Sequence, residues 1–280
     1  MEVTYFRFIM LKEFKEKFPQ WVNESGDYTV CLSDDLDSLV GASILKSVKG
    51  YEIKHFYDFN NFYSVDGDKR KAIGVDIALE KGMTWDNHVV RLSKYGKANT
   101  LSANLNVIEN INRDNYSKKY AMSTALLMWA FYDLPLPESD ESKILLLSID
   151  SSYLGHYKGF KTIQNEWLRK LGFEELIDIQ NKYTLKDFAN IKKKYNSSMK
   201  IEFLNEQLQT EMDLEGISKV LGLPIELPIC CFKLRKRFQR ERIELRNHSS
   251  CTKDMVEEKY GKEIFSMALT AKNTISLTFK

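Results

Sequence analysis

Apolar positions in the first part of the chain switch between helical and alternating periods. Leu11, Phe14, Phe18, Trp21 and Val22 fall at helical spacing among lysines and glutamates, which predicts an amphipathic helix over 11–22. The apolar run at 27–32 predicts a short buried strand. Residues 36–48 follow as a helix, with Ser33 or Asp34 as its N-cap. Residues 51–57 alternate like a second strand, and 71–76 and 83–86 predict a third and a fourth. Strand, helix and strand in this order predict an α/β fold: a mainly parallel sheet flanked by helices.

Beyond this the pattern turns helical. Residues 120–134 are almost wholly apolar, and 142–149 carry a Leu-rich run. Residues 160–222 alternate helical stretches with polar turns, including Lys192, Lys193 and Lys194. Pro224 and Pro228 mark a boundary. After it, 229–236 and 240–245 predict a β-hairpin, 253–260 a helix, and 264–269 and 274–279 two more strands. The expected division is an α/β unit over 1–160, a helical connector over 161–224, and a smaller α+β C-terminal unit over 225–280. No internal repeat or low-complexity linker interrupts it.

Composition narrows the class without naming a partner. The chain has 280 residues, 43% hydrophobic and 29% charged, enough for one large domain or two. A net charge of +2 argues neither for nor against nucleic acid, so any basic surface is local. No apolar stretch reaches the roughly eighteen residues of a membrane span, and the first residues do not read as a secretory leader. Cys31, Cys230, Cys231 and Cys251 lack zinc-ribbon spacing. A reduced, cytoplasmic protein with no membrane partner is the expectation.

The chemistry gathers in acids that follow apolar runs. In open α/β sheets, sites form where strands end and loops lead into helices. The first strand ends at Ser33-Asp34-Asp35-Leu36-Asp37-Ser38, the third at Asp76, and the fourth at Asp86-Asn87-His88; Asp150 closes the run 144–149. Clustered carboxylates repel one another unless a cation offsets them. Hard divalent ions, Mn²⁺ or Mg²⁺, suit oxygen and imidazole donors better than a thiolate-preferring metal does. Two such ions can activate water and stabilise phosphoryl oxygens.

This ordered set resembles the DHH phosphoesterase superfamily, which includes RecJ-like exonucleases, nano-RNases, cyclic-dinucleotide phosphodiesterases and manganese pyrophosphatases. Asp35-Leu36-Asp37-Ser38 is similar to the first motif, Asp76 to the second, Asp86-Asn87-His88 to the name motif, and Asp150 to the fourth. The resemblance implies a metal-dependent phosphoesterase that cleaves short oligonucleotides or cyclic dinucleotides. It implies Asp35, Asp37, Asp76, His88 and Asp150 as ligands of Mn²⁺ or Mg²⁺, with Asp76 and Asp150 bridging two ions. His88 would alternatively stand by the leaving phosphate, with Asp86 orienting its neighbours. The C-terminal unit would be of the substrate-binding type: Ile243-Glu244-Leu245-Arg246 is similar to a family strand, and Asn87 and Arg246 would contact substrate. The implied partner is a nucleotide or short single-stranded nucleic acid, with a homodimer admitted.

The chain also departs from the family pattern. Cys31 stands where many members have a ligand histidine, Asn87 replaces the first histidine of the name motif, and 261–265 lack the Gly-rich His loop. These departures motivate an alternative: a degenerate module that binds nucleotide, nucleic acid or protein without hydrolysis. A haloacid-dehalogenase-like phosphatase, with Asp35 and Asp37 as nucleophile and acid/base, accounts for the first motif alone. His156 lies six residues after Asp150 and reads as a surface histidine, while His55 and His248 have no evident partners. Outside the acids, Arg235 and Arg237 in the basic segment 233–242 would face phosphates from a hairpin, with Phe238 stacking on a base. The aromatics Phe56, Tyr57, Phe59, Phe62 and Tyr63 read chiefly as core packing, with packing at the rim of the cleft or contact with a nucleobase as the alternative.

Overall fold

The computed structural model describes residues 10–150, 155–245 and 251–280. Its centre is a seven-stranded sheet in the order β6-β5-β4-β1-β2-β3-β9. The strands are β1 (Tyr28–Leu32), β2 (Glu52–Tyr57), β3 (Asn61–Val65), β4 (Lys71–Val75), β5 (Thr84–Trp85), β6 (Ser102–Ala103) and β9 (Phe232–Arg237). From β6 to β2 all neighbours run parallel, and β3 and β9 are antiparallel additions. The fold is the α/β class expected, with a mainly parallel sheet flanked by helices.

Helix α2 (Leu36–Lys49) makes the first crossover. Asp35 caps it, its carboxylate accepting from the Ser38 amide, and Gly50 closes it at φ 73°. The cap is thus Asp35 and not Ser33 or Asp34. Helix α3 (Leu105–Ile108) follows β6. Helix α4 (Thr124–Phe131) is buried along its whole length, as its sequence TALLMWAF requires, and it packs on α2. At Gly41 the contact admits no side chain: a Cβ there would meet Val75 Cγ1 at 2.6 Å and Met128 Sδ at 2.9 Å.

The helix expected over 11–22 is broken. Only α1 (Lys12–Lys15) is α-helical, and Pro19 leads into a 3-10 turn, Gln20–Val22. Proline disfavours helical backbone in the residue before it, so the element ends early. Phe14, Phe18, Trp21 and Val22 are buried all the same.

Helices α5 (Asp140–Leu147), α6 (Lys161–Leu171), α7 (Glu174–Lys182), α8 (Leu185–Lys194) and α9 (Leu214–Leu221) follow. Between α8 and α9 the chain forms the hairpin β7 (Ile201–Leu204) and β8 (Gln207–Thr210), inside the stretch expected to be a purely helical connector.

The expected hairpin over 229–245 does not form. β9 pairs with β3 in the large sheet, whereas β10 (Gln239–Glu244) pairs with β12 (Thr274–Phe279) in a separate sheet of order β10-β12-β11. The chain changes sheets at Phe238, whose amide donates to Asn60 O at 2.7 Å. Strand β11 (Ile264–Ala271) and helix α10 (Lys253–Tyr260) complete an antiparallel α+β unit.

This small sheet is stitched to the loops after β4 and β5. Met267 N donates to Ala78 O at 3.0 Å, Glu80 N to Phe265 O at 3.0 Å, and Leu269 N to Val89 O at 2.8 Å. Tyr57 Oη, at the end of β2, meets Thr278 Oγ1 at 2.5 Å and Ser266 Oγ at 3.2 Å. The C-terminal unit therefore sits over the carboxyl ends of the parallel strands. Among the described residues, no helix is long and apolar enough to cross a membrane.

Candidate metal centre at the carboxyl ends of the strands

The turn between β1 and α2 is held by one serine. Ser38 Oγ accepts from Ser33 N at 2.7 Å and donates to Val75 O at 2.8 Å, tying the ends of β1 and β4 together. This fixes Asp35 and Asp37 beside Asp76. Asp37 is 4% exposed, and both its oxygens accept backbone N–H groups at the start of α4: Thr124 N at 2.9 Å and Ala125 N at 2.7 Å. A helix N-terminus suits a carboxylate. Even so, burial and then the charges of Asp76, Asp150 and Asp35 push the Asp37 carboxyl well above the usual range.

Asp76 follows β4 with φ 57°, a left-handed conformation that Asp tolerates better than most residues. Its amide donates to Trp85 O at 2.9 Å, and its Oδ1 accepts from Thr124 Oγ1 at 2.8 Å. Burial pushes its pKa up to about 8, reinforced by Asp35, Asp86 and Asp150 and opposed by His88.

Asp86, Asn87 and His88 leave β5 together. Asp86 is fully buried; its Oδ1 lies 2.7 Å from His88 Nδ1, and its Oδ2 accepts from Asn104 Nδ2 at 2.9 Å. Asn104 also donates to His88 O at 2.8 Å, and its Oδ1 caps α3. A carboxylate on Nδ1 assigns that nitrogen the proton and leaves Nε2 as the free ring position. Burial opposes the imidazolium, but Asp86 and then Asp76 and Asp150 prevail and raise the His88 pKa to about 10. His88 Nδ1 lies 3.9 Å from Asp76 Oδ1. One donor atom from each of Asp76, Asp86 and His88 lies within 4.8 Å of the others.

Asn87 is 7% exposed, and its amide nitrogen donates to Met122 O at 2.8 Å and Asp150 Oδ2 at 3.1 Å. It reaches Asp150 from below rather than offering its N–H groups to a substrate. Asp150 follows the C-terminal end of α5, and its charge acts on Asp37, Asp76 and His88.

Of the expected residues the fold brings the donor atoms of Asp76, Asp86 and His88 together, while Asp35, Asp37 and Asp150 neighbour them as charges. Their donor set is carboxylate oxygen plus imidazole, the chemistry of Mn²⁺ or Mg²⁺. The upward shifts at Asp37 and Asp76 come first from burial and then from the neighbouring carboxylates, so ionising either group without a cation is costly. Asp76, Asp86 and His88 are the donors placed to hold an ion, and Asp86 also fixes the His88 ring through Nδ1. Asp35 is more committed: Oδ1 accepts from Ser38 N at 3.2 Å and Oδ2 from Lys200 Nζ at 3.2 Å. Lys200 also bonds Asp34 Oδ1 at 2.9 Å.

Cys31 is buried beside Tyr57 and Ile77, and burial pushes its thiol far up, so it acts as packing. His156 packs edge-on against Phe188 with ring centroids 5.0 Å apart, and His55 stacks on Phe62 at 5.5 Å. Arg246 and His248 lie outside the described residues.

Sequence reasoning missed the neutral groups that hold the acids. Thr124 follows the N-cap Ser123, and a Ser-Thr pair ahead of an apolar run is a helix-start signature. Asn104 follows a two-residue strand too short to show a period, and Lys200 gave no local signal. Compared with protein-family models, with curated proteins and with solved structures, the chain has no match, so the resemblance to DHH phosphoesterases rests on these residues and their arrangement.

Proposed function

We propose that this cleft belongs to a metal-dependent phosphoesterase that hydrolyses phosphodiester bonds of short oligonucleotides or cyclic dinucleotides. The observation that carries the reading is the approach of Asp76, Asp86 and His88 within 4.8 Å at strand ends, with the charges of Asp35 and Asp150 acting on Asp76. Divalent ions bound there would supply an activated water and charge stabilisation for the phosphoryl oxygens. The chain's own part is to hold the donors. Asp86 fixes the His88 ring, Asn87 steadies Asp150, and Thr124 fixes Asp76. His88 Nε2 serves as a ligand or delivers a proton to the leaving oxygen.

A polyanionic substrate is supported by the strand crossing. Lys236, Arg237, Arg240 and Arg242 are exposed there and form no ion pair among the described residues, whereas Lys233 and Arg235 both pair with Asp66.

The test is turnover by EDTA-stripped protein reloaded with Mn²⁺ or Mg²⁺, using linear diribonucleotides, five-nucleotide RNA and cyclic dinucleotides. Mn²⁺-stimulated release of mononucleotides, abolished by Asp76→Ala and His88→Ala, is the expected result. Absence of turnover across the panel by clean protein overturns the reading.

One observation favours a second reading, a binding module without hydrolysis. Both oxygens of Asp37 and both of Asp35 already hold hydrogen bonds within the protein. That reading expects nucleotide binding in EDTA, and stoichiometric Mn²⁺ on the purified protein counts against it.

A further inference from the structure

Phe59 is the bulkiest residue that the fold holds in the left-handed region, at φ 68°. A bulky side chain at positive φ is a strained choice, and such strain tends to persist at ligand sites. Here the surroundings impose it. Asp58 Oδ1 accepts from the amides of Asn60 at 2.8 Å and Asn61 at 2.5 Å, and Asp58 Oδ2 accepts from Asn61 Nδ2 at 3.1 Å. Glycine would satisfy the same turn without strain.

The turn carrying Phe59 leaves β2 at the same carboxyl end as the acid cluster. Phe59 packs against the cluster of Cys31, Tyr57 and Ile77, at the end of β1 and beside the residue that follows Asp76. The ring is half-buried against Tyr57, with centroids 5.1 Å apart. The exposed guanidinium of Arg240 lies over it, 5.3 Å from the centroid. Arg240 reaches this place because the chain changes sheets at Phe238, whose ring packs on Tyr57 with centroids 5.2 Å apart.

We propose that Phe59 and Arg240 form a nucleotide subsite next to the metal centre. The exposed Arg240 swings from the ring to the phosphate, and the planar base of the unit adjoining the scissile bond takes its place on the ring face. Aromatic faces bind any base by stacking, and a planar guanidinium both stacks and grips phosphate through paired N–H groups. The subsite would select a nucleotide chain over simple phosphate esters. Its role as part of an active site rests on the phosphodiesterase reading; nucleotide binding there does not.

The experiment uses the full chain in EDTA and measures binding of a 5′-phosphorylated diadenylate and of inorganic phosphate by calorimetry. Phe59→Gly removes the ring and relieves the backbone, so the lost packing is partly offset and the Tm is expected to fall by no more than a few degrees. Diadenylate binding should weaken about 5- to 150-fold, the range for one stacked base, while phosphate binding stays the same. Arg240→Gln should weaken both ligands. A Phe59→Gly protein that binds diadenylate as the parent does, or whose Tm falls further than this with the loss of both ligands, overturns the proposal and identifies Phe59 as packing. Because no metal is added, this outcome is separate from turnover: binding as described with no hydrolysis sinks the phosphodiesterase reading alone.

Discussion

Removing the charge at Asp76 tests the electrostatic reading of the cleft most directly. In the metal-free protein, burial and then Asp35, Asp86 and Asp150 raise this carboxyl from 3.8 to about 8. Between those values the folded state keeps a proton that the unfolded state has released, so stability falls as pH rises through the window. At about 1.4 kcal/mol per pH unit, the penalty reaches about 6 kcal/mol once pH exceeds 8, as an upper bound. His88 has the opposite sign at low pH. Its value rises from 6.5 to about 10, so its contribution is complete below 6.5 and is lost as pH climbs through 10. Near neutral pH the two roughly offset one another. By about pH 9 the Asp76 penalty is complete and most of the His88 contribution has gone.

The EDTA-treated protein should therefore be less stable at pH 9 than at pH 6 by several kcal/mol, on the order of 10 °C in Tm. Asp76→Asn keeps an acceptor for Thr124 and removes the charge, so its Tm profile should be flatter and its Tm at pH 9 higher than the parent's. Mn²⁺ at about a hundredfold its Kd should add about 2.7 kcal/mol to the parent and little to the variant. Differential scanning fluorimetry across pH, with and without Mn²⁺, makes the comparison. Parallel profiles for parent and variant, or a parent that is flat from pH 6 to 9, would refute the argument that a buried carboxyl, costly to ionise without a cation, defines the site.

Further outcomes follow from the packing and the basic strand crossing. Gly41→Ala drives a methyl into Val75 and Met128, where the available gaps are 2.6 and 2.9 Å, and should cost about 1–3 kcal/mol in urea denaturation. Tyr57→Phe removes the hydroxyl that joins Thr278 and Ser266, costing about 1 kcal/mol and raising proteolysis of the C-terminal unit; an unchanged cleavage rate argues against this contact as a tether. If Lys236, Arg237, Arg240 and Arg242 each neutralise one phosphate, single-stranded DNA binding should show a log–log salt slope of about −2.8, or about a 50-fold loss from 50 to 200 mM. A slope near zero in fluorescence anisotropy excludes this crossing as the contact.

The acids of the site were legible because charge immediately after an apolar run is costly unless it lies at a strand end. Asp76 and Asp86 interrupt short buried runs, and the β1–α2 turn announces itself by both a cap and a helix. The groups that make the cluster tolerable were not legible in the same way. Thr124 and Asn104 are residue types found at any helix start or turn, and only the fold shows that they reach Asp76 and Asp86. Lys200 meets Asp34 through a hairpin far along the chain, and a long-range contact of this kind leaves no periodic trace.

The misread hairpin shows the corresponding limit for the fold. Alternation identifies a strand but not its partner, because pairing is decided by the faces available to it. Phe232 is fully buried at the start of β9, and Leu234 pairs in register with Tyr63 on β3. Ile243 joins the core of the small sheet instead. One apolar set belongs to each sheet, so the chain crosses between them at Phe238 rather than folding back. The aromatic cluster from Phe56 to Tyr63 carries no strand signal of its own beyond β2, yet its last residues begin β3, the strand that captures β9. These two departures from the expected pattern are linked. Without β3 there is no edge for β9 to join, and without β9 the crossing would not bring Arg240 over the ring of Phe59 beside the acid cluster.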